Sequence, residues 1–81
     1  MLENPSVFGL NVHLRRTEMG ISQRELARRI GVSNNVICML ESGRVSHLSL
    51  PAAHLCAKAL DVSLDLLMTN PGDAEEDASS D

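Results

Sequence analysis

Apolar residues recur at helical spacing in the central part of this 81-residue chain. After Ser22, the apolar positions of one helical face are Leu26, Ala27 and Ile30, and arginines occupy the opposite face. Ser22 with Glu25 three residues later has the pattern of a capping box at a helix start. Gly31 can adopt the left-handed conformation that ends a helix, so the pattern predicts a helix over residues 22–30.

A second short helix is predicted directly after Gly31. Ser33 is placed to cap its start, and Gly43 is placed to end it. Its predicted buried face consists of Val36, Ile37 and Leu40. Its predicted outer face carries no charge and consists of Asn34, Asn35 and Met39. Surface helices usually present Glu and Lys, so this outer face requires an explanation.

Three further helices complete the pattern. Helix 1 begins at Ser6, or at Asn4 and Pro5, and ends before Gly20; helices 4 and 5 cover about residues 49–60 and 63–68, with Asp61 ending helix 4. The expected buried residues are Phe8, Val12 and Met19 in helix 1, and Ala53, Cys56, Ala57 and Leu60 in helix 4. Leu10 and Leu14 form an offset row that is either core or contact surface. The predicted fold class is therefore all-α, a compact domain of five helices.

Charge separates a nearly neutral domain from an acidic tail. The chain carries a net charge of −4, but residues 1–70 contain seven Lys and Arg against six acids, and residues 71–81 contain five acids and no base. We expect a flexible N-terminus over residues 1–5, a folded domain over 6–70 and a disordered acidic tail over 71–81.

Composition and motifs argue against several protein classes. Cys38 and Cys56 lack the spacing of a metal site, and we expect both to be buried, reduced thiols. No apolar run approaches the length of a membrane span, and no secretory leader precedes the domain, so a cytoplasmic location is expected. No nucleophile–base pair, phosphate loop or metal set is visible, so we expect neither an enzyme nor a cofactor, metal or small-molecule ligand.

The sequence resembles the lambda-repressor/Cro-like (XRE) family of helix-turn-helix proteins over about residues 8–68. The resemblance is carried by Arg16, by GISQRELARRIGVS at 20–33, by I-x-x-L-E-S-G-R at 37–44 and by AKALDVSLDLL at 57–67. The family signature of Ala27, Gly31 and Ile37 has a packing reason. Ala27 is small where the next helix crosses, Gly31 makes the turn, and Ile37 anchors the second helix on the first.

The resemblance implies that double-stranded DNA is the partner and that helix 3 lies in its major groove. The residues expected to face base edges are Ser33, Asn34, Asn35 and Met39. An Asn amide donates and accepts at once, which suits adenine, and a thioether suits a thymine methyl. The residues expected to contact the DNA backbone are Ser22, Gln23, Arg24, Arg44, His47 and Ser49. Arg28 and Arg29 are weaker candidates, and Arg16 with Glu41 matches a structural ion pair of the family.

Specific control by one small domain requires a two-fold dimer on two half-sites about 34 Å apart. Leu55 and Leu66 are apolar where relatives are usually polar, and they either form the dimer surface or fill the monomer core. Leu14 and Arg15 reverse the usual polarity of the family at their positions, which bears on the packing of helix 1. The tail is either a solubilising end or a competitor of DNA.

The expected function is a bacterial or phage-encoded, nucleoid-associated transcriptional regulator. It would be a homodimeric repressor that binds a palindromic operator. The alternative is an antitoxin-type regulator that uses the same domain and binds a partner protein.

Overall fold

The computed structural model describes residues 5–70, so the expectations for residues 1–4 and for the tail at 71–81 lie outside the described residues. Residues 5–70 form α1 (Val7–Met19), α2 (Gln23–Ile30), α3 (Asn34–Ser42), α4 (Leu50–Ala59) and α5 (Leu64–Met68), and contain no strand. The prediction of an all-α, five-helix fold is confirmed. Within residues 5–70, no helix is long and apolar enough to cross a membrane.

The core lies where the helices meet. α2 packs against α3 and α4, α1 packs against α3 and α5, and α4 also packs against α5. The apolar residues of the core are Phe8, Val12, Leu26, Ala27, Ile30, Ile37, Leu40, Leu48, Ala53, Cys56, Ala57, Leu60 and Leu67. Met19 and Val36, which were expected in this set, are only half-buried and pack against its edge.

The start of α1 is fixed by Ser6, not by Asn4 and Pro5. The Ser6 hydroxyl accepts a hydrogen bond from the Gly9 N–H at 3.0 Å and donates one to the Ser46 carbonyl at 2.7 Å. Gly9 is buried, and a Cβ atom there would overlap the Leu40 carbonyl oxygen. The missing side chain therefore lets α1 lie directly against the end of α3.

Arg15, one of the two residues that reverse the usual polarity of the family, binds the C-terminal end of α4. The Arg15 guanidinium donates from Nε to the Leu60 carbonyl at 2.8 Å and contacts Glu18 at 3.1 Å. Asp61, the next residue, adopts a left-handed conformation with φ of 57°, as predicted. Of the offset row formed by Leu10 and Leu14, Leu14 is 47% exposed and therefore belongs to the surface and not to the core.

The expectation of two buried cysteines is correct for Cys56 and wrong for Cys38. Burial and the charge of Glu41 raise the pKa of the Cys56 thiol to about 11. Cys38 is exposed, because α3 buries the face that contains Ile37, Leu40 and Glu41. Position 38 lies about 100° from Ile37 around the helix and is turned away from that face.

Candidate nucleic-acid interface

A buried carboxylate joins the first three helices. Glu41 of α3 is 1% exposed, and it accepts from Arg16 of α1 at two points. Arg16 Nε lies 2.7 Å from Oε2 and Nη2 lies 2.8 Å from Oε1, while Nη1 donates to the Ile21 carbonyl at 2.7 Å. This is the ion pair that the family resemblance implies, and it has the two-point geometry that strengthens a carboxylate–guanidinium contact.

Two further side chains bind the same carboxylate. His13 Nδ1 lies 2.8 Å from Glu41 Oε1, and the Gln23 amide nitrogen donates to that oxygen at 3.0 Å. Burial alone would raise the pKa of Glu41, but the hydrogen bonds from Arg16, Gln23 and His13 outweigh burial and hold its pKa below the usual value. The hydrogen bond to Glu41 also raises the pKa of Arg16.

The side chains at the start of α2 are bonded within the protein. Ser22 accepts from the Glu25 N–H at 3.0 Å, and Gln23 is bound to Glu41. The return bond of a capping box is absent, because the Glu25 carboxylate binds Arg28 at 2.6 Å and Arg29 at 2.8 Å. These two arginines lower the pKa of Glu25 to about 2.

The side chains at the start of α3 are not bonded within residues 5–70. All five helices have a serine at the N-cap position, and four of these hydroxyls accept from the backbone of their own helix. Ser33 is the exception: it has the cap conformation but makes no side-chain capping bond, so the expected cap is only partly formed. Asn34 and Asn35 follow it and are exposed. Three adjacent polar side chains are thus available to an outside partner.

Farther along α3, the exposed face differs from the predicted one. Met39 is half-buried rather than fully outward, although it remains at the edge of this face. Cys38 is exposed one turn after Asn34 and Asn35. The predicted outer face does not include it, because both cysteines are predicted from the sequence to be buried. The outer face of α3 is uncharged, as expected.

Only some of the arginines remain available to bind phosphate. Arg28 and Arg29 are held by Glu25, whereas Arg24 and Arg44 are exposed and have no ion pair within residues 5–70. His47 and Ser49 are exposed in and after the loop that follows α3. The Ser49 hydroxyl caps α4 at 3.4 Å, and the Ser46 hydroxyl lies 3.0 Å from the His47 ring.

Leu55 and Leu66 lie at the surface of the folded chain. They are 44% and 50% exposed, so the alternative that they fill the monomer core is wrong. Leu66 and Leu14 line a shallow groove of about 190 Å³ between α1 and α5. A separate, more apolar groove of about 350 Å³ is lined by Phe8, Leu48, Leu50, Ala53, Leu64 and Met68, with His47 beside it.

The hydrogen bonds of His13 and Gln23 to Glu41 are not predicted from the sequence. His13 stands three residues before Arg16 on α1, a spacing that places both side chains on one helix face, and this signal was available. Gln23 was assigned only to DNA, and no local pattern shows that its amide reaches a residue 18 positions away.

Comparisons with known proteins agree with this architecture. A helix-turn-helix family model matches residues 12–67. A protein of Methanothermobacter thermautotrophicus named as an HTH-type transcriptional regulator is 51% identical over 45 residues, which are 56% of this chain and 64% of that protein. The chain thus spans somewhat less than two thirds of that relative.

Two solved structures extend the likeness across the fold. The hypothetical transcription factor NHTF from Neisseria superposes with a TM-score of 0.81 at 26% identity, covering 94% of this chain and 95% of that one. The c2 repressor of P22, solved in complex with a synthetic operator, superposes with a TM-score of 0.70 at 28% identity, covering 78% of this chain and 94% of that one. The chain belongs to the helix-turn-helix family of lambda-repressor-like (XRE) transcription regulators.

Proposed function

We propose that this regulator represses transcription by binding a palindromic operator as a homodimer, with α3 in the major groove. The observation that carries the proposal is the start of α3, where Ser33, Asn34 and Asn35 make no side-chain hydrogen bond within residues 5–70. An unbonded N-cap serine costs a helix about 1 kcal/mol, and DNA is a partner that would use these groups. The operator-bound P22 c2 repressor supports the repressor assignment.

Base recognition falls to the outer face of α3. The Asn34 and Asn35 amides match the donor and acceptor of adenine, and Ser33 can bind any base edge. Met39 offers an apolar contact to a thymine methyl from the edge of the face. Because this face carries no charge, it reads bases without attracting phosphates indiscriminately.

Backbone contacts surround this face. The N-terminus of α2 presents free N–H groups and a positive dipole end, beside Gln23 and Arg24. Arg44 follows α3 and supplies the second available guanidinium. The remaining proposed contacts are Ser22, His47 and Ser49. Since few cations are available, we expect modest affinity per monomer and a strong dependence on dimerisation.

A second copy of the chain is proposed to cover Leu66 and Leu55. Leu66 shares its groove with exposed Leu14, so one face contains apolar area from both α1 and α5. Leu55 adds apolar area from α4. Burial of these side chains would pair two α3 helices at a fixed spacing, as two half-sites of an operator require.

The base-reading proposal is tested by selecting bound sequences from a random DNA pool and measuring affinity for the selected site. Asn34→Ala and Asn35→Ala should each cost about 1–3 kcal/mol on that site and little on random DNA, because each removes a base contact. Thr17→Ala, an exposed polar change on α1, is the matched control. Unchanged specific affinity in both asparagine variants would overturn the assignment of α3.

The dimer proposal is tested by sedimentation. Leu66→Glu should lower the dimer fraction by burying a charge in the proposed interface. Leu50→Glu is the matched control, since Leu50 is 73% exposed and lines the other groove. A dimer lost with Leu50→Glu but kept with Leu66→Glu would place the interface at the groove that Leu50 lines.

A further inference from the structure

Gln23 holds a position that connects the core of the domain to its outer surface. It is the first residue of α2 and is half-buried. Its amide nitrogen donates to Oε1 of Glu41 at 3.0 Å, and that carboxylate is fixed by Arg16 from the other helix. The side chain is therefore held at the end of a chain of contacts that begins in α1.

The chemistry of the amide makes this position useful. A primary amide nitrogen carries two hydrogens, and Glu41 occupies only one of them. A carboxylate and a phosphate oxygen are both anionic acceptors, so one NH₂ group can bridge them. Charge-assisted bonds of this kind are stronger than neutral ones. Fixing the amide beforehand also removes rotamer entropy that a free glutamine would lose on binding.

We propose that Glu41 is a positioning residue for DNA binding: it orients the Gln23 amide so that the second N–H meets a DNA phosphate. This inference rests on the proposed function, and it adds a role to an ion pair that otherwise only joins helices. His13 binds the same Oε1 at 2.8 Å and Arg16 Nη2 at 2.8 Å, so three donors share that oxygen and restrict where the Gln23 nitrogen can lie.

A double-mutant cycle separates positioning from a purely structural role. In the natural chain, Gln23→Ala should weaken DNA binding about fivefold, the size of one net hydrogen bond. In an Arg16→Met/Glu41→Leu background, which replaces both charges with apolar groups of similar size, the same change should cost less than about twofold. An equal cost of Gln23→Ala in both backgrounds would overturn the proposal.

Nuclear magnetic resonance provides a test that does not depend on folding of the double variant. In the free protein, one of the two side-chain amide protons of Gln23 should exchange slowly with solvent, because Glu41 accepts its hydrogen bond. Addition of the selected DNA should shift the other proton. Two Gln23 amide protons that exchange equally fast with solvent would contradict the proposal. If no sequence were selected from the random pool while one Gln23 amide proton stayed protected in the free protein, the proposed function would fail and the Glu41 contact would stand.

Discussion

The two helices of the helix-turn-helix motif begin with similar residues but differ in whether their first side chains are hydrogen bonded within the protein. At the start of α2, Ser22 and Gln23 are both hydrogen bonded within the protein. At the start of α3, Ser33 and Asn34 have no such bonds within residues 5–70. Both helices start at a serine in extended conformation, so local geometry does not account for the difference.

The side chains at the start of α2 therefore contribute to stability in a way that those at the start of α3 do not. A polar side chain that is bonded internally stabilises the fold, whereas an exposed, unbonded one contributes little to stability. Gln23 of α2 binds Glu41, the carboxylate that joins α1, α2 and α3, whereas Ser33, Asn34 and Asn35 at the start of α3 make no side-chain hydrogen bond within residues 5–70. Substitutions at the start of α2 should therefore lower stability as well as DNA binding, whereas substitutions at the start of α3 should weaken specific DNA binding with little loss of stability.

The largest expected effect on stability comes from removing the Glu41 carboxylate, which accepts the hydrogen bond of Gln23 at the start of α2. Glu41→Ala should lower the free energy of unfolding by about 3–5 kcal/mol, because Arg16 would keep a buried charge without a partner. Urea unfolding followed by circular dichroism measures this. Glu18→Ala is the control, since its pair with Arg15 is exposed and should cost less than about 1 kcal/mol. A small loss with Glu41→Ala would mean that α2 does not depend on this carboxylate.

An intermediate effect should distinguish the two cap serines. Ser22→Ala should cost about 1 kcal/mol of stability because it removes the bond to the Glu25 N–H. Ser33→Ala should cost at most a few tenths of a kcal/mol, since no capping bond is lost, and should weaken specific DNA binding instead. Thermal unfolding of both variants, with binding to the selected site, gives the comparison. Equal stability losses would show that Ser33 caps α3 in solution.

The smallest expected effect is a change in the salt dependence of DNA binding when one arginine is removed. Arg44→Ala should reduce the slope of log affinity against log salt by about 0.9, the contribution of one phosphate contact, on specific and random DNA alike. Arg28→Ala is the matched control, because Glu25 already holds that guanidinium. Titrations at several salt concentrations measure both slopes. A larger change with Arg28→Ala would mean that the Glu25 pair opens on DNA.

Much of the fold follows from short-range pattern. The helix ends at Gly20, Gly31 and Gly43 and the left-handed Asp61 were predictable because the conformational preferences of these residues act locally. The burial of Leu26, Ala27 and Ile30 follows from helical periodicity. Errors occurred where burial depends on which helix crosses a given face: Cys38 is exposed, and Met19 is only half-buried.

Five helices, their ends, most of the core and membership of a helix-turn-helix family are predictable from the amino-acid sequence. These features depend on residues within one or two turns of each other. Which polar side chains are hydrogen bonded within the protein depends instead on the tertiary structure. Glu41 accepts hydrogen bonds from His13, Arg16 and Gln23 on two other helices, whereas the side chains of Ser33, Asn34 and Asn35 make none within residues 5–70. A hydrogen bond requires atoms within about 3 Å, and that distance is set by how the helices pack.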